Sequence, residues 1–398
     1  MLVLTSTFPR WKEDTTPAFV YELSNRLAKK GRKIIVLAPH AYKAVTNEKL
    51  GNVEVYRFRY FIPSNLQKIA YGAGIIPNVK DSFLAKIQIP FFLISEYFAA
   101  SNLIRKYKPN ILHAHWLIPQ GLLAIILKKI YKIPFIITVH GSDLFPLKNS
   151  IFRYLQKIVL SNCYACTVNS MATRNEVISR FPQFKNKIYI IPMGVNIEAF
   201  SKAKQNLINR KYKNKKIILF VGRLNEQKGI EYLIKAIPAV KKRFFNLKLL
   251  IIGEGSHKSN LEKLTESLGL NDVVEFLGAK PHREVINCYH SAHVFVLPSI
   301  TSKIGTEGLG LVLLEAMAAK LPVVGTNTGG IKYIIKNNEN GILVEEKNPQ
   351  EIADAIILLL SNKKLREKIK SNAFKFVNDN YSWKIIVNKF NNLYEKVK

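Results

Sequence analysis

Acidic residues are scarce in this chain. Its 398 residues carry 28 Asp and Glu against 60 Lys and Arg, a formal net charge of +32. Nucleic-acid readers concentrate Arg forks on a recognisable module. Here the cations are mostly Lys and are scattered, as in Lys29-Lys30-Gly31-Arg32-Lys33, Lys213 to Lys216, Lys241-Lys242-Arg243 and Lys363-Lys364. A nucleic-acid role is therefore the weakest reading of the charge. Attraction to an anionic membrane surface and a surface that is simply Lys-rich both stay open. Cysteine is nearly absent too, at three residues. Cys163 and Cys166 have redox or zinc spacing, but a zinc site needs a second pair and only Cys288 remains, so both are read as apolar filler. No run of about 18 uncharged apolar residues occurs, so no membrane-spanning helix is expected. The nearest stretch, Ile87 to Leu103, is broken by Glu96. No basic-then-apolar leader precedes Leu2-Val3-Leu4, and a cytoplasmic location is expected, with association at the inner membrane surface left open. No Gly-x-Gly-x-x-Gly follows a strand, which argues against a nicotinamide dehydrogenase.

What is present is a folded α/β pattern, with 48% hydrophobic residues in a chain long enough for two cores. Strands are expected at Met1–Leu4, Lys33–Ala38, Val53–Phe58, Ile111–Ala114, Phe135–Val139, Ala165–Asn169 and Ile188–Ile191, with helices between them. The first helix is expected over Thr16–Lys30, Thr16 capping it and Pro17 in its first position. The polar, basic stretch Ala199–Lys216 reads as a connection, after which strand and helix alternate again from Ile217. Two Rossmann-like domains follow, 1–195 and 196–380, with a helix over 381–398 expected to pack back on the first. Ligands of such sheets bind beyond the carboxyl ends of the strands, here in a cleft between the domains.

The chemistry-bearing residues stand at those strand ends. Thr306-Glu307-Gly308-Leu309-Gly310-Leu311 follows the strand Val294–Leu297 and runs into an apolar helix carrying Glu315. Such a turn presents backbone N–H groups to an anion, yet its carboxylates suit a ligand that also has hydroxyls. Gly222-Arg223 and Lys228-Gly229 flank a turn after Ile217–Val221, where two cations can clamp a diphosphate. Gly253-Glu254-Gly255 is either a close backbone approach or an ordinary turn. His140-Gly141-Ser142-Asp143 ends a first-domain strand: His140 is suited to a sugar hydroxyl or a structural role, Asp143 to the acceptor side or a helix cap. His113 and His115 lack a carboxylate third ligand beside His140, so no metal is expected.

Together these motifs, with Ser6-Thr7-Phe8-Pro9-Arg10 and Ile191-Pro192-Met193-Gly194-Val195-Asn196, resemble the retaining glycosyltransferases of the GT-B fold, glycosyltransferase family 4. The resemblance covers nearly the whole chain. It implies an α/β GT-B fold, two facing Rossmann-like domains with an interdomain cleft. It also implies retaining, metal-independent transfer of a sugar from a nucleotide-diphosphate sugar to a glycan or lipid-linked acceptor, in surface polysaccharide or glycolipid assembly, with no cofactor. His140, Glu307, Arg223 and Lys228 are then the catalytic residues. Gly222, Gly253, Gly308, Leu309, Gly310, Leu311 and Glu315 bind the donor, and Asp143 and Arg10 are acceptor-side candidates. One departure is visible: many members have adjacent glycines after the first strand, where this chain reads Asp14-Thr15-Thr16-Pro17-Ala18. Tyr56 to Pro63 and the apolar helix after Phe83 suit a lipid-linked acceptor or simple packing. The alternative enzyme class is a sugar-nucleotide epimerase, which needs acid–base carboxylates beyond Glu307.

Overall fold

The computed structural model describes residues 1–11, 14, 16–72, 74–201, 211–303 and 305–397. Much of the expected Ala199–Lys216 connection, residues 202–210, thus lies outside the described residues. The chain divides into two compact units, Met1–Met193 with Ile386–Lys398, and Gly194–Ile385.

Among the described residues the first unit holds eight strands: β1 (Leu2–Leu4), β2 (Ile35–Pro39), β3 (Asn47–Leu50), β4 (Val53–Phe58), β5 (Leu112–His115), β6 (Phe135–Val139), β7 (Ala165–Val168) and β8 (Ile188–Ile190). They lie in the order β3-β4-β2-β1-β5-β6-β7-β8. All pair in parallel except β3, which runs antiparallel to β4. Strands such as Phe135-Ile136-Ile137-Thr138-Val139 are buried throughout, because helices cover both faces of a parallel sheet. The chain grows outward from β1 in both directions, so its order reverses there, and ligands collect beyond the strand ends at such a reversal. The second unit repeats the plan with β9 (Lys216–Val221), β10 (Leu247–Ile252), β11 (Val274–Gly278), β12 (Val294–Leu297), β13 (Val323–Thr326) and β14 (Ile342–Val344). Its order, β11-β10-β9-β12-β13-β14, reverses beside β9.

Several expectations shift. The first helix spans Phe19–Lys29 and has no side-chain cap at Ala18. Thr16 lies two residues ahead of that N-cap position, and its N–H donates to Asp14 Oδ1 at 3.2 Å. The helix Phe83–Tyr107 is, by length and mean hydropathy, long and apolar enough to cross a membrane. Its apolar run is interrupted by Glu96, as the sequence shows. Cys163, Cys166 and Cys288 are free and buried. Burial pushes the Cys163 thiol up to about 12, where it holds its proton and makes a poor nucleophile.

At Met193-Gly194-Val195 the chain meets the start of its last helix. A Cβ on Gly194 would lie 2.5 Å from the Trp383 ring, and Val195 N–H donates to the Tyr381 carbonyl at 2.8 Å. Within the first unit, Tyr394 of the last helix bonds His113 Nδ1 at 2.8 Å.

Glu96 is fully buried in the helix Phe83–Tyr107. Its Oε1 accepts from Gln120 Nε2 at 3.2 Å, while Glu96 Oε2 and Gln120 Oε1 are buried without partners among the described residues. Burial raises the Glu96 carboxyl to about 8. The protonated acid carries a donor, which suits a site that leaves two acceptor oxygens unpaired. Because the folded state holds this proton more tightly than the unfolded state, Glu96 costs stability as pH rises from about 4.5 towards 8. Glu96→Gln is expected to raise the melting temperature more at pH 8 than at pH 5. Equal shifts at both would show that the carboxyl is not protonated in the fold.

Candidate active site

The donor-side residues gather at the β9/β12 reversal of the second unit. Lys228 lies in a single turn, Glu226–Lys228, after β9, and Glu307 in the loop between β12 and the helix Leu311–Ala318. Their side chains meet, Lys228 Nζ to Glu307 Oε2 at 2.5 Å, both largely shielded from solvent at 14% and 13% exposure. Ser299 Oγ donates to the same oxygen at 3.2 Å. Burial works to raise the Glu307 carboxyl. The Lys228 ammonium, the hydrogen bonds from Lys228 and Ser299 and the Arg223 charge outweigh it and hold the group below the usual carboxylate range. Arg223 itself is exposed.

Backbone packing fixes this corner. A Cβ on Gly229, at φ +57°, would lie 2.2 Å from the Pro298 carbonyl, and Ile300 N–H donates to the Gln227 carbonyl at 2.9 Å. The β9 and β12 loops are thereby locked together. Gly330 N–H donates to the Glu307 carbonyl at 2.8 Å, which pins the loop from a third side. The helix Leu311–Ala318 starts at Gly310, at φ +80°, with no side chain capping it. An ideal Cβ on Gly310 would stand 3.8 Å from Glu307 Cγ, so the positive end of the helix adjoins the ion pair. Of the other loop residues, Leu309 is buried and Gly308 and Leu311 are half-buried. Glu315 lies one turn into the helix, and Tyr289 Oη donates to its Oε2 at 3.1 Å. Burial raises the Glu315 carboxyl, against the His282 charge and the Tyr289 hydrogen bond.

Gly253 owes its identity to the neighbouring loop. At φ +143°, its Cβ would fall 1.8 Å from the Gly222 carbonyl oxygen. Leu224 N–H donates to the Glu254 carbonyl at 3.0 Å, so Gly253-Glu254-Gly255 props the Gly222–Leu224 segment from behind.

The first unit presents His140 at the end of β6. Its Nε2 lies 2.9 Å from His115 Nδ1, with the two rings stacked at 17°. Trp116 and Phe19 flank it at centroid distances of 4.6 and 5.0 Å. Burial pushes His140 down to about 3, with the nearby His113 adding to the effect. It is therefore a neutral imidazole near pH 7, and its bond with neutral His115 couples the tautomers of the two rings, one donating and the other accepting. His113 Nε2 lies 2.7 Å from Thr138 Oγ1, and Thr138 Oγ1 lies 2.6 Å from Thr167 Oγ1. A buried polar seam thus crosses β5, β6 and β7 to His140. Among the described residues no group of three or more His, Cys, Asp or Glu is placed to hold a metal ion.

Asp143 does not cap the helix that follows it, which starts at Ser150 with Asn149 as its N-cap. Its Oδ1 accepts from the N–H groups of His140 and Gly141, both at 3.1 Å, and its Oδ2 from Leu117 N–H at 2.7 Å. The carboxylate holds the turn that presents His140. Burial raises it to about 6 despite those donors. Arg10 chelates Asp14 through Nε at 2.8 Å and Nη2 at 2.6 Å, and lies over Trp11. A bonded Arg–Asp pair thus stands where adjacent glycines are frequent in the family. His115, Trp116, Phe19 and Tyr289 are the site neighbours that the sequence reading did not assign. The alternation of His113 and His115 within one strand was the available signal, since it puts both on one face.

Comparison with known proteins accords with this geometry. Residues 17–199 match the model described as Glycosyltransferase Family 4, and residues 201–376 the one described as Glycosyl transferases group 1. An uncharacterized glycosyltransferase of Methanocaldococcus jannaschii is 32% identical over 88% of this chain and 92% of its own. A D-inositol 3-phosphate glycosyltransferase of Corynebacterium glutamicum is 25% identical over 94% of this chain and 90% of its own. Among solved structures, sucrose-phosphate synthase from Thermosynechococcus elongatus aligns with a TM-score of 0.81 at 20% identity, over 100% of this chain and 98% of that one. Anabaena HepE in complex with UDP-glucose aligns at 0.74 and 16% identity, over 99% of each chain. The fold is GT-B, and the chain belongs to the group 1 glycosyltransferases of family 4.

Proposed function

We propose that this protein moves a sugar from a nucleotide-diphosphate sugar to a glycan or lipid-linked acceptor, with retention of anomeric configuration and without a metal ion, in the assembly of surface polysaccharide or glycolipid. The observation that carries the reading is the shielded Lys228–Glu307 pair beside an uncapped helix start. The unit Gly194–Ile385 takes the donor, and the unit Met1–Met193 serves the acceptor. The fold neighbour HepE, which binds UDP-glucose, supports a nucleotide sugar as donor. The curated relatives include a phosphatidyl-myo-inositol mannosyltransferase of Mycobacterium leprae, which supports a lipid-linked acceptor. Catalysis is cytoplasmic, at the inner membrane surface.

In this reading the donor diphosphate competes with Glu307 for the Lys228 ammonium, and Arg223 supplies a second cation. Charge grows on the leaving diphosphate as the glycosidic bond breaks, so fixed cations and helix N–H groups stabilise the transition state more than the ground state. Glu307, released from Lys228, and the Gly308–Leu311 backbone hold the sugar. Glu315, oriented by Tyr289, accepts from the ribose hydroxyls. Neutral His140 donates to a sugar hydroxyl. The acceptor attacks from the face the diphosphate leaves, and that phosphate takes its proton. Transfer is expected to proceed at full rate in EDTA, and the anomeric coupling in the product's NMR spectrum to match the donor's. A requirement for added magnesium, or an inverted product, refutes the mechanism.

A further inference from the structure

We propose that the outer face of the helix Phe83–Tyr107, with the neighbouring loop at Phe61-Ile62, is the surface by which this protein lies on an anionic lipid bilayer. Unlike an ordinary surface helix, this one is apolar on its outer face as well as on the face that buries Ala85, Phe92, Ala100, Leu103 and Ile104. Its buried positions include the polar Gln88, Glu96 and Ser101. Gln88 is committed inward, accepting from Lys68 N–H at 3.0 Å and donating to the Leu66 carbonyl at 2.7 Å. Apolar residues also line its outer face. Phe83, Ile87, Phe91, Ile94 and Phe98 are 77%, 46%, 51%, 55% and 58% exposed. Their steps of four, four, three and four residues draw one stripe about 22 Å long. Only 28% of the most apolar 18-residue window is buried.

Phe61 packs edge-on against Phe91 at 6.1 Å, which brings the 86% exposed Ile62 beside the stripe. The sequence between Lys86 and Arg105 holds one charged residue, Glu96, and it is buried on the opposite face. Cations frame the stripe: Lys80 and Lys86 at one end, Arg105, Lys106 and Lys108 at the other, and Arg59 in the adjoining loop, all exposed, against the acids Asp81 and Glu54, the latter half-buried and bonded to Tyr107. An apolar stripe between cationic ends suits acyl chains below and anionic headgroups around them. Charge decides between occupants. A second copy would set like charges of a +32 chain against each other, whereas acidic headgroups neutralise both ends.

The proposal rests on the membrane-associated reading above, and flotation of the full-length protein with vesicles separates the two. The protein is expected to float with phosphatidylcholine vesicles containing phosphatidylglycerol, and at least about tenfold less with phosphatidylcholine alone. Phe91→Ser/Ile94→Ser/Phe98→Ser is expected to lose that binding while melting no lower than the parent. The single variant Phe98→Trp, which keeps the surface apolar, is expected to add fluorescence that bromine-labelled acyl chains quench. Binding by the parent that the triple substitution leaves intact, or a Phe98→Trp signal that is not quenched, overturns this surface but not membrane association. No binding by the parent overturns both. A concentration-dependent dimer that the triple substitution dissolves, without vesicle binding, assigns the face to a second copy and overturns the proposal.

Discussion

Lys228→Ala is expected to lower kcat by a factor of about 10²–10³, the usual cost of deleting a group that stabilises transition-state charge. It should also cost stability, because Glu307 keeps its shielded position and loses its ammonium partner. Breaking such a buried pair from one side costs about 3–5 kcal/mol at the upper limit. The two effects come apart in the double variant Lys228→Ala/Glu307→Gln. Its neutral amide no longer needs a counter-ion, so most of the stability returns while activity does not. The pH dependence adds a check. The folded Glu307 carboxyl lies below its usual range, so the pair's stabilisation is complete above that range and is lost as pH falls through the depressed value. Glu307→Gln removes that acid-side loss and most activity with it. Full activity in purified Lys228→Ala, measured as initial transfer rate, contradicts the assignment.

Gly253→Ala is expected to destabilise the second unit by at least about 3 kcal/mol. The added Cβ would overlap a backbone carbonyl, 1.8 Å from Gly222 oxygen, at a φ of +143°. No rotamer relieves a clash between two backbones, so β9 and β10 must separate where Arg223 is carried. Gly269 is the internal control. It is also at positive φ, +63°, but nothing lies within 4 Å of its ideal Cβ, so Gly269→Ala should cost only about 1 kcal/mol of backbone strain. Urea midpoints of the two variants test the difference. If Gly253→Ala unfolds no earlier than Gly269→Ala, the loop-on-loop packing is not as described.

The sheets were legible in the sequence because buried parallel strands are nearly continuous apolar runs. Lys216–Val221 and Val294–Leu297 stand out on that ground alone. Strand β3 did not. Asn47-Glu48-Lys49-Leu50 alternates exposed and half-buried positions at the sheet edge, and its assignment rests on pairing with β4 and on Glu48 bridging the buried Arg57 at 2.6 Å. The start of the first helix was read too early because Thr16-Pro17 carries the residue types of a cap and a first helical position, whereas the helix begins at Phe19. Motif residues could be named singly, but their partners could not. Lys228 and Glu307 are 79 residues apart and His115 and His140 are 25 apart, and only the sheet order brings each pair together. The same limit explains Gly253, whose neighbour belongs to another loop. The outward stripe from Phe83 to Phe98 was present as a helical period, yet which side of that helix faced the core was not.

The central claim is that the corner formed by Lys228, Arg223 and the Gly310 helix start holds a nucleoside diphosphate without a metal. Calorimetric titration of the protein with UDP, GDP and ADP in the presence of EDTA tests it most directly. One of the three is expected to bind and to raise the melting temperature, with affinity at least about tenfold weaker in Lys228→Ala. Binding of none of them, or equal affinity in the parent and Lys228→Ala, contradicts the account.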